Sequence, residues 1–241
     1  MTFVVGIKCK DGLVLCSDSL ETDGYNKKFV QKLFKYEVND KWGLAFGCSG
    51  TSAACTNFGD RLLELMKDAR VYDRRGTEKL IEATMGYMKD QYPQETLDVV
   101  LGLWANDPNE TRLYKAHTST QCLSVEPTYA CAGMDVSLGR FLLDSILEGD
   151  NIKTKEAVHI APFVTSVVKE KADGVGGPTQ MLFHAKGHPV WLEAHKPSVA
   201  EIEKRQFPFA DLEKSIRQFC WSRFPHEFKP QDDDYLKELD E

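Results

Sequence analysis

Met1-Thr-Phe-Val-Val-Gly-Ile-Lys-Cys-Lys-Asp-Gly-Leu-Val-Leu-Cys-Ser-Asp18 opens the chain and decides how the rest is read. It holds two apolar runs, Phe3–Ile7 and Leu13–Cys16, joined by Lys-Cys-Lys-Asp-Gly. Val and Leu runs broken by Asp-Gly read as a β-hairpin. A threonine begins the first strand. Once the Met1–Thr2 bond is cut, Thr2 carries a hydroxyl and a free α-amine on one residue. An unperturbed α-amine titrates at about 7.7–8.0, so near neutral pH it can take the hydroxyl proton. Nucleophile and base are then a single residue, a device for acyl transfer.

That device needs electrostatic support. Asp18 falls at the end of the second strand, and Lys32 follows in Phe29-Val-Gln-Lys32-Leu-Phe-Lys35, which reads as a third strand. A buried ammonium held by a carboxylate stabilises an alkoxide and favours a neutral α-amine. Gly43-Leu-Ala-Phe-Gly-Cys-Ser-Gly50 then reads as a strand running into a small-residue turn.

Taken together, Thr2-Phe-Val-Val-Gly-Ile, Asp-Gly-Leu-Val-Leu-Cys-Ser-Asp18-Ser, Gln-Lys32-Leu-Phe and Gly43–Gly50 resemble the start of a proteasome β-type subunit. The bacterial relatives HslV and the Anbu-type proteins share the pattern. Lys171-Ala-Asp173-Gly-Val-Gly-Gly177 matches it again, so the resemblance spans about residues 2–193. It implies an α+β fold, the four-layer αββα sandwich of the N-terminal-nucleophile hydrolases. It also implies a threonine endopeptidase with Thr2 as nucleophile and Asp18, Lys32 and Asp173 as its partners. A backbone N–H in the turn Gly47-Cys48-Ser49-Gly50 forms the oxyanion hole, with Gly47 as the residue chosen. Two departures stand out. Relatives carry hydroxyls where this chain reads Cys131-Ala132-Gly133 and Gly176.

From the same resemblance follow a peptide or unfolded-protein substrate, a self-compartmentalising homo-oligomeric ring and an ATP-dependent unfoldase as a possible partner. The rival readings are a non-catalytic structural subunit and an amidase of the same fold acting on a small amide. The chemistry requires no cofactor. His184-x-x-x-His188 has metal-like spacing, but it falls in a hairpin turn rather than on one helical face, so no metal is expected.

Composition narrows the field further. The 241 residues are 42% hydrophobic and 28% charged, which is ordinary for a globular chain. A net charge of −7 does not favour nucleic acid. No apolar run approaches the roughly 18 residues of a membrane span, and the N-terminus lacks the basic start and apolar core of a signal peptide. A cytoplasmic protein is expected. The seven cysteines (9, 16, 48, 55, 122, 131 and 220) are odd in number, form no C-x-x-C, and read as buried reduced thiols.

Along the chain, Thr51 or Ser52 caps a first helix with apolar residues at Ala54, Phe58, Leu62, Leu65 and Met66. After a loop at Tyr72–Gly76, Thr77 caps a second helix ending before Pro93. Strands return over Leu97–Trp104, Arg112–His117 and Gln121–Val125. Tyr129–Gly133 leads into a helix over about Ser137–Leu147, and Thr154 opens another to Lys171 with a kink at Pro162. Thr179–Ala185 and Pro189–Leu192 form a closing hairpin through Lys186-Gly187. The expected division is a proteasome-like domain over 1–197 and a helical extension over 198–241. In the extension, Ser198-x-x-Glu201 is a capping box, Asp211–Phe224 is helical, and Asp232–Glu241 is an acidic tail.

Overall fold

The computed structural model describes residues 1–23, 26–39, 42–68, 74–106, 109–119, 122–147, 152–186, 188 and 190–204. Residues to Glu203 form one compact unit; the second unit, Lys204–Glu241, lies outside the described residues apart from Lys204. The helix expected over Asp211–Phe224 and the acidic tail therefore fall outside them too.

The opening hairpin forms as the Asp-Gly turn dictates. β1 (Phe3–Cys9) pairs with β2 (Gly12–Ser17) in antiparallel register, Val4 opposite Ser17 and Cys9 opposite Gly12. Alternation along β1 divides its side chains between two apolar layers. Val4 joins a layer with Leu15, Leu33, Ala45, Val100 and Leu113, which come from two different sheets. Phe3 faces the other way, against Gly139 of a helix.

Two five-stranded antiparallel sheets result, ordered β10-β1-β2-β11-β12 and β5-β6-β7-β8-β9. The second is a meander of β5 (Leu33–Asn39), β6 (Trp42–Ser49), β7 (Asp98–Asn106), β8 (Asn109–His117) and β9 (Cys122–Glu126). On its outer face Leu44, Phe46, Val99 and Leu101 pack with Phe58, Leu62, Ile81 and Met85. Those four come from α1 (Ser52–Asp68) and α2 (Arg74–Gln91). The first sheet is completed by β10 (Tyr129–Gly133), β11 (Gln180–Ala185) and β12 (Leu192–Glu193). Its outer face carries α3 (Val136–Ile146) and α4 (Thr154–Lys171). The layers are α, β, β, α, as expected. Each fully buried Leu, Val or Phe contributes about 1.5–3 kcal/mol, so these apolar layers hold the polar groups described below in place.

Several local expectations need correction. Thr77 is not a cap: α2 begins at Arg74, and Thr77 lies buried in its first turn. Ser198 is not a cap either. α5 (Lys196–Lys204) starts two residues earlier, crosses the expected 197/198 division, and receives His195 as the acceptor of its first N–H groups. Tyr129–Gly133 is itself a strand, paired with β1 from Phe3–Gly133 to Ile7–Tyr129. A short ribbon of β3 (Leu20–Asp23) and β4 (Asn26–Phe29) stands between β2 and β5, so Lys32 precedes a strand rather than lying within one. By contrast, Thr51 does cap α1, its Oγ accepting the Ala54 N–H at 3.4 Å. Among the described residues no helix is long and apolar enough to cross a membrane.

Candidate active site

Thr2 sits immediately before β1, where β2 flanks the strand on one side and β10 on the other. Its carbonyl accepts the Met134 N–H at 2.8 Å. Gly133 makes this approach possible: its φ is +97°, and a Cβ there would stand 1.9 Å from the Thr2 oxygen. Thr2 is thereby anchored through its backbone, and it lines a cavity of about 520 Å³.

Asp18 is completely buried just past β2. Its carboxylate accepts N–H groups from Phe3 at 3.0 Å, Leu20 at 3.2 Å and Gly176 at 3.1 Å. The Lys32 ammonium lies 3.0 Å from both of its oxygens. Three backbone donors and the ammonium thus satisfy the buried carboxylate.

Lys32 is likewise buried, 7% exposed. Besides Asp18, it donates to Leu20 O at 2.6 Å and Met1 O at 2.8 Å, which uses all three of its N–H donors. Burial lowers its pKa from the ordinary lysine value, against the opposing pull of Asp18 and Glu21. The segment that delivers it is clamped from β11. Gln180 Oε1 accepts the N–H groups of Lys32 and Leu33 at 2.9 and 3.2 Å, while its Nε2 donates to Val30 O at 2.6 Å.

Asp173 is exposed in the turn after α4 and, among the described residues, makes no hydrogen bond or ion pair. The neighbouring Gly174 has φ +84°, and a Cβ there would approach Met1 Sδ to 3.0 Å, so Met1 packs against this turn. Gly47 is not in a turn. It lies within β6, between Leu33 of β5 and Val100 of β7, where a Cβ would come within 2.7 Å of Val4 Cγ1. It is a glycine because the two sheets meet there. Gly50, which shares the cavity with Thr2, ends the strand at the start of α1, and its N–H makes no hydrogen bond among the described residues.

The sequence departures are explained differently at the two places. Ala132 belongs to the inter-sheet layer, where a hydroxyl would be buried. Gly176 acts through its backbone, its N–H on Asp18 and its carbonyl accepting from Ser19 and Leu20. The Asp18 support therefore survives without a side chain at 176.

A family model described as "Proteasome subunit" matches residues 2–177, starting at Thr2 itself. The chain belongs to the proteasome subunit family. No curated protein sequence matches it. Among solved structures, this proteasome-family chain is similar to Anbu (ancestral beta-subunit) from Yersinia bercovieri, at 16% identity and a TM-score of 0.73. That match covers 90% of this chain and 97% of the other. An Anbu (Gly-1) mutant from Hyphomicrobium sp. strain MC1 gives 13% identity and 0.73, covering 96% and 100%. The helical assembly of the Anbu complex from Pseudomonas aeruginosa gives 15% and 0.72, covering 90% and 96%. At these identities the likeness concerns the fold.

Sequence reading brought Thr2, Asp18 and Lys32 to the same place. It missed Gln180, whose signal was a lone amide beginning the apolar strand Gln-Met-Leu-Phe. It also missed Glu21 and Ser52, which bond to each other on the rim of the Thr2 cavity. The ring Nε2 of the buried His184 is 2.8 Å from the His188 carbonyl. Among the described residues no metal-ligating cluster occurs. Cys9, Cys16, Cys48, Cys55 and Cys131 are free and buried, as expected.

Proposed function

We propose that the protein hydrolyses peptide bonds with Thr2 as its nucleophile, once the Met1–Thr2 bond has been cut. One observation carries this reading. The buried Lys32 ammonium, held by Asp18, donates to the Met1 carbonyl, the acyl group attached to the Thr2 nitrogen. Cutting that bond releases the Thr2 α-amine and one Lys32 donor together.

The steps follow from ordinary acyl transfer. The Thr2 amine takes the proton from Oγ, and Oγ attacks the scissile carbonyl carbon. Lys32 stabilises the developing alkoxide. The Gly50 N–H receives the oxyanion, in place of Gly47. As the C–N bond breaks, the ammonium returns the proton to the leaving amine, leaving an ester on Thr2. Water, deprotonated by the same amine, then hydrolyses the ester and restores the hydroxyl. Asp173 precedes the residue against which Met1 packs, and its assigned role is to hold the amine that the departure of Met1 exposes.

Such a nucleophile carries little selectivity of its own, so enclosure within a homo-oligomer is part of this reading. The Pseudomonas aeruginosa relative forms a helical assembly, which supports self-association into a ring or spiral. An ATP-dependent unfoldase is the class of partner that would feed it. The test is hydrolysis of fluorogenic peptides by the purified Met1-free protein, with Thr2→Ala as control. Equal turnover by the variant overturns the assignment.

A further inference from the structure

We infer that the cavity beside Thr2 accepts a basic substrate side chain and that Glu21 selects it; this rests on the reading of Thr2 as nucleophile. The cavity, about 520 Å³, has a floor of Phe34, Cys48 and Cys55 and a rim that includes Glu21, Lys28 and Ser52. Glu21 and Lys28 are direct cross-strand partners in the β3–β4 ribbon, joined by an ion pair of 3.0 Å. Ser52, the first residue of α1, donates to Glu21 Oε1 and ties the ribbon to the helix across the rim.

Exposure distinguishes the two charges. The Lys28 side chain is 66% exposed and that of Glu21 is 22% exposed. Glu21 Oε2 is shielded from water and, apart from the Lys28 ion pair, has no aligned hydrogen-bond donor. Deeper in, the Lys32 charge is offset by Asp18 at 3.0 Å. The fixed charge at the mouth is thus a carboxylate, and its counter-ion hangs in solvent. Because the Lys28 end of the pair is 66% exposed, Lys28 can swing into water and leave Oε2 to an incoming cation. A guanidinium arriving there forms a charge-assisted bond to Oε2. Ser52 and Lys28 hold the Glu21 carboxyl below the usual carboxylate range, which keeps it charged. Within the floor, burial raises the Cys48 thiol well above its ordinary pKa. The methylene stem of Arg or Lys can lie along such a floor with its head at the rim.

The test uses Met1-free protein and three fluorogenic peptides that differ only in the residue before the cleaved bond: Arg, Leu or Glu. The Arg peptide should have the highest kcat/KM, about tenfold above Leu, with Glu the lowest. Glu21→Gln, which keeps the shape, should reduce the Arg-to-Leu ratio about tenfold. Lys28→Met, which removes the competing cation, should raise kcat/KM for the Arg peptide. A wild-type preference for Leu or Glu, or an Arg-to-Leu ratio unmoved by Glu21→Gln, overturns the inference. If Glu21→Gln does not fold, a fall or no change in Arg turnover by Lys28→Met overturns it. Should the Leu peptide be cleaved without preference for Arg, only the selectivity fails. If no peptide is cleaved and Thr2 takes no acyl label, the hydrolase reading fails and the selectivity with it.

Discussion

Lys32 Nζ donates to the Met1 carbonyl oxygen at 2.8 Å, and with Asp18 and Leu20 as its other partners it has no donor to spare. While Met1 is attached, the Thr2 nitrogen is an amide and cannot act as a base. On the proposed reading, cutting the Met1–Thr2 bond frees the Thr2 amine and the Lys32 donor together. Thr2→Ala should therefore abolish peptide hydrolysis while changing stability by less than about 1 kcal/mol, since only a hydroxyl and a methyl are lost. Lys32→Ala should abolish hydrolysis too, but cost about 3–5 kcal/mol because the buried Asp18 charge loses its ion partner. Paired activity assays and urea unfolding separate the two outcomes.

Gln180 acts on Lys32 from the opposite sheet. Its side chain makes three hydrogen bonds to residues 30–33, each worth about 0.5–1.5 kcal/mol. Gln180→Leu should cost about 2–4 kcal/mol and lower kcat more than it raises KM, since it loosens the ammonium rather than the substrate cavity. Steady-state kinetics alongside thermal unfolding checks this; an unchanged kcat would remove Gln180 from the positioning of Lys32.

Gly47 and Gly50 should respond in opposite ways. Gly47→Ala forces a methyl to within 2.7 Å of Val4 Cγ1, an overpacking that costs about 1–3 kcal/mol with kcat per folded molecule retained. Gly50→Pro deletes an N–H, and kcat should fall about 10²–10³-fold, the usual effect of losing one oxyanion donor. Kinetics on both variants, normalised to the folded fraction by circular dichroism, distinguishes them. An unchanged kcat in Gly50→Pro would remove the Gly50 N–H from the oxyanion role.

Alkaline pH should destabilise the fold. Burial pushes the thiols of Cys9, Cys16 and Cys131 from 9.0 to about 12. Between those values the unfolded chain loses protons that the folded chain keeps, so stability falls as pH rises, by up to about 1.4 kcal/mol per pH unit for each thiol. The lowered pKa of Lys32 works the other way, its stability cost easing as pH rises towards the ordinary lysine value. Three groups outweigh one. Urea midpoints should drop above pH 9, and Cys16→Ala should flatten that slope.

What the sequence made legible was whatever apolar periodicity or chain-local chemistry encodes. The β1–β2 hairpin follows from two Val and Leu runs around Asp-Gly, and Thr2, Asp18 and Lys32 converge because short, regular strands separate them. The β3–β4 ribbon did not show, because Leu-Glu-Thr-Asp and Asn-Lys-Lys-Phe are mostly polar and lack an alternating apolar face. Thr77 imitates a cap after Gly76, yet the helix had already begun at Arg74. Gln180 and Gly47 were opaque for another reason. One derives its role from contacts 148 residues away, announced locally only by a lone amide before an apolar run, the other from the close approach of a second sheet.

The central claim is that Thr2, freed of Met1, is the nucleophile. Intact-mass measurement with N-terminal peptide mapping, after incubation with a peptide bearing an electrophilic carbonyl, tests it most directly. The account predicts a chain beginning at Thr2 with one covalent adduct on that residue, absent from Thr2→Ala. A homogeneous chain that retains Met1 yet hydrolyses peptides at full rate, or an adduct on any other residue, would contradict it.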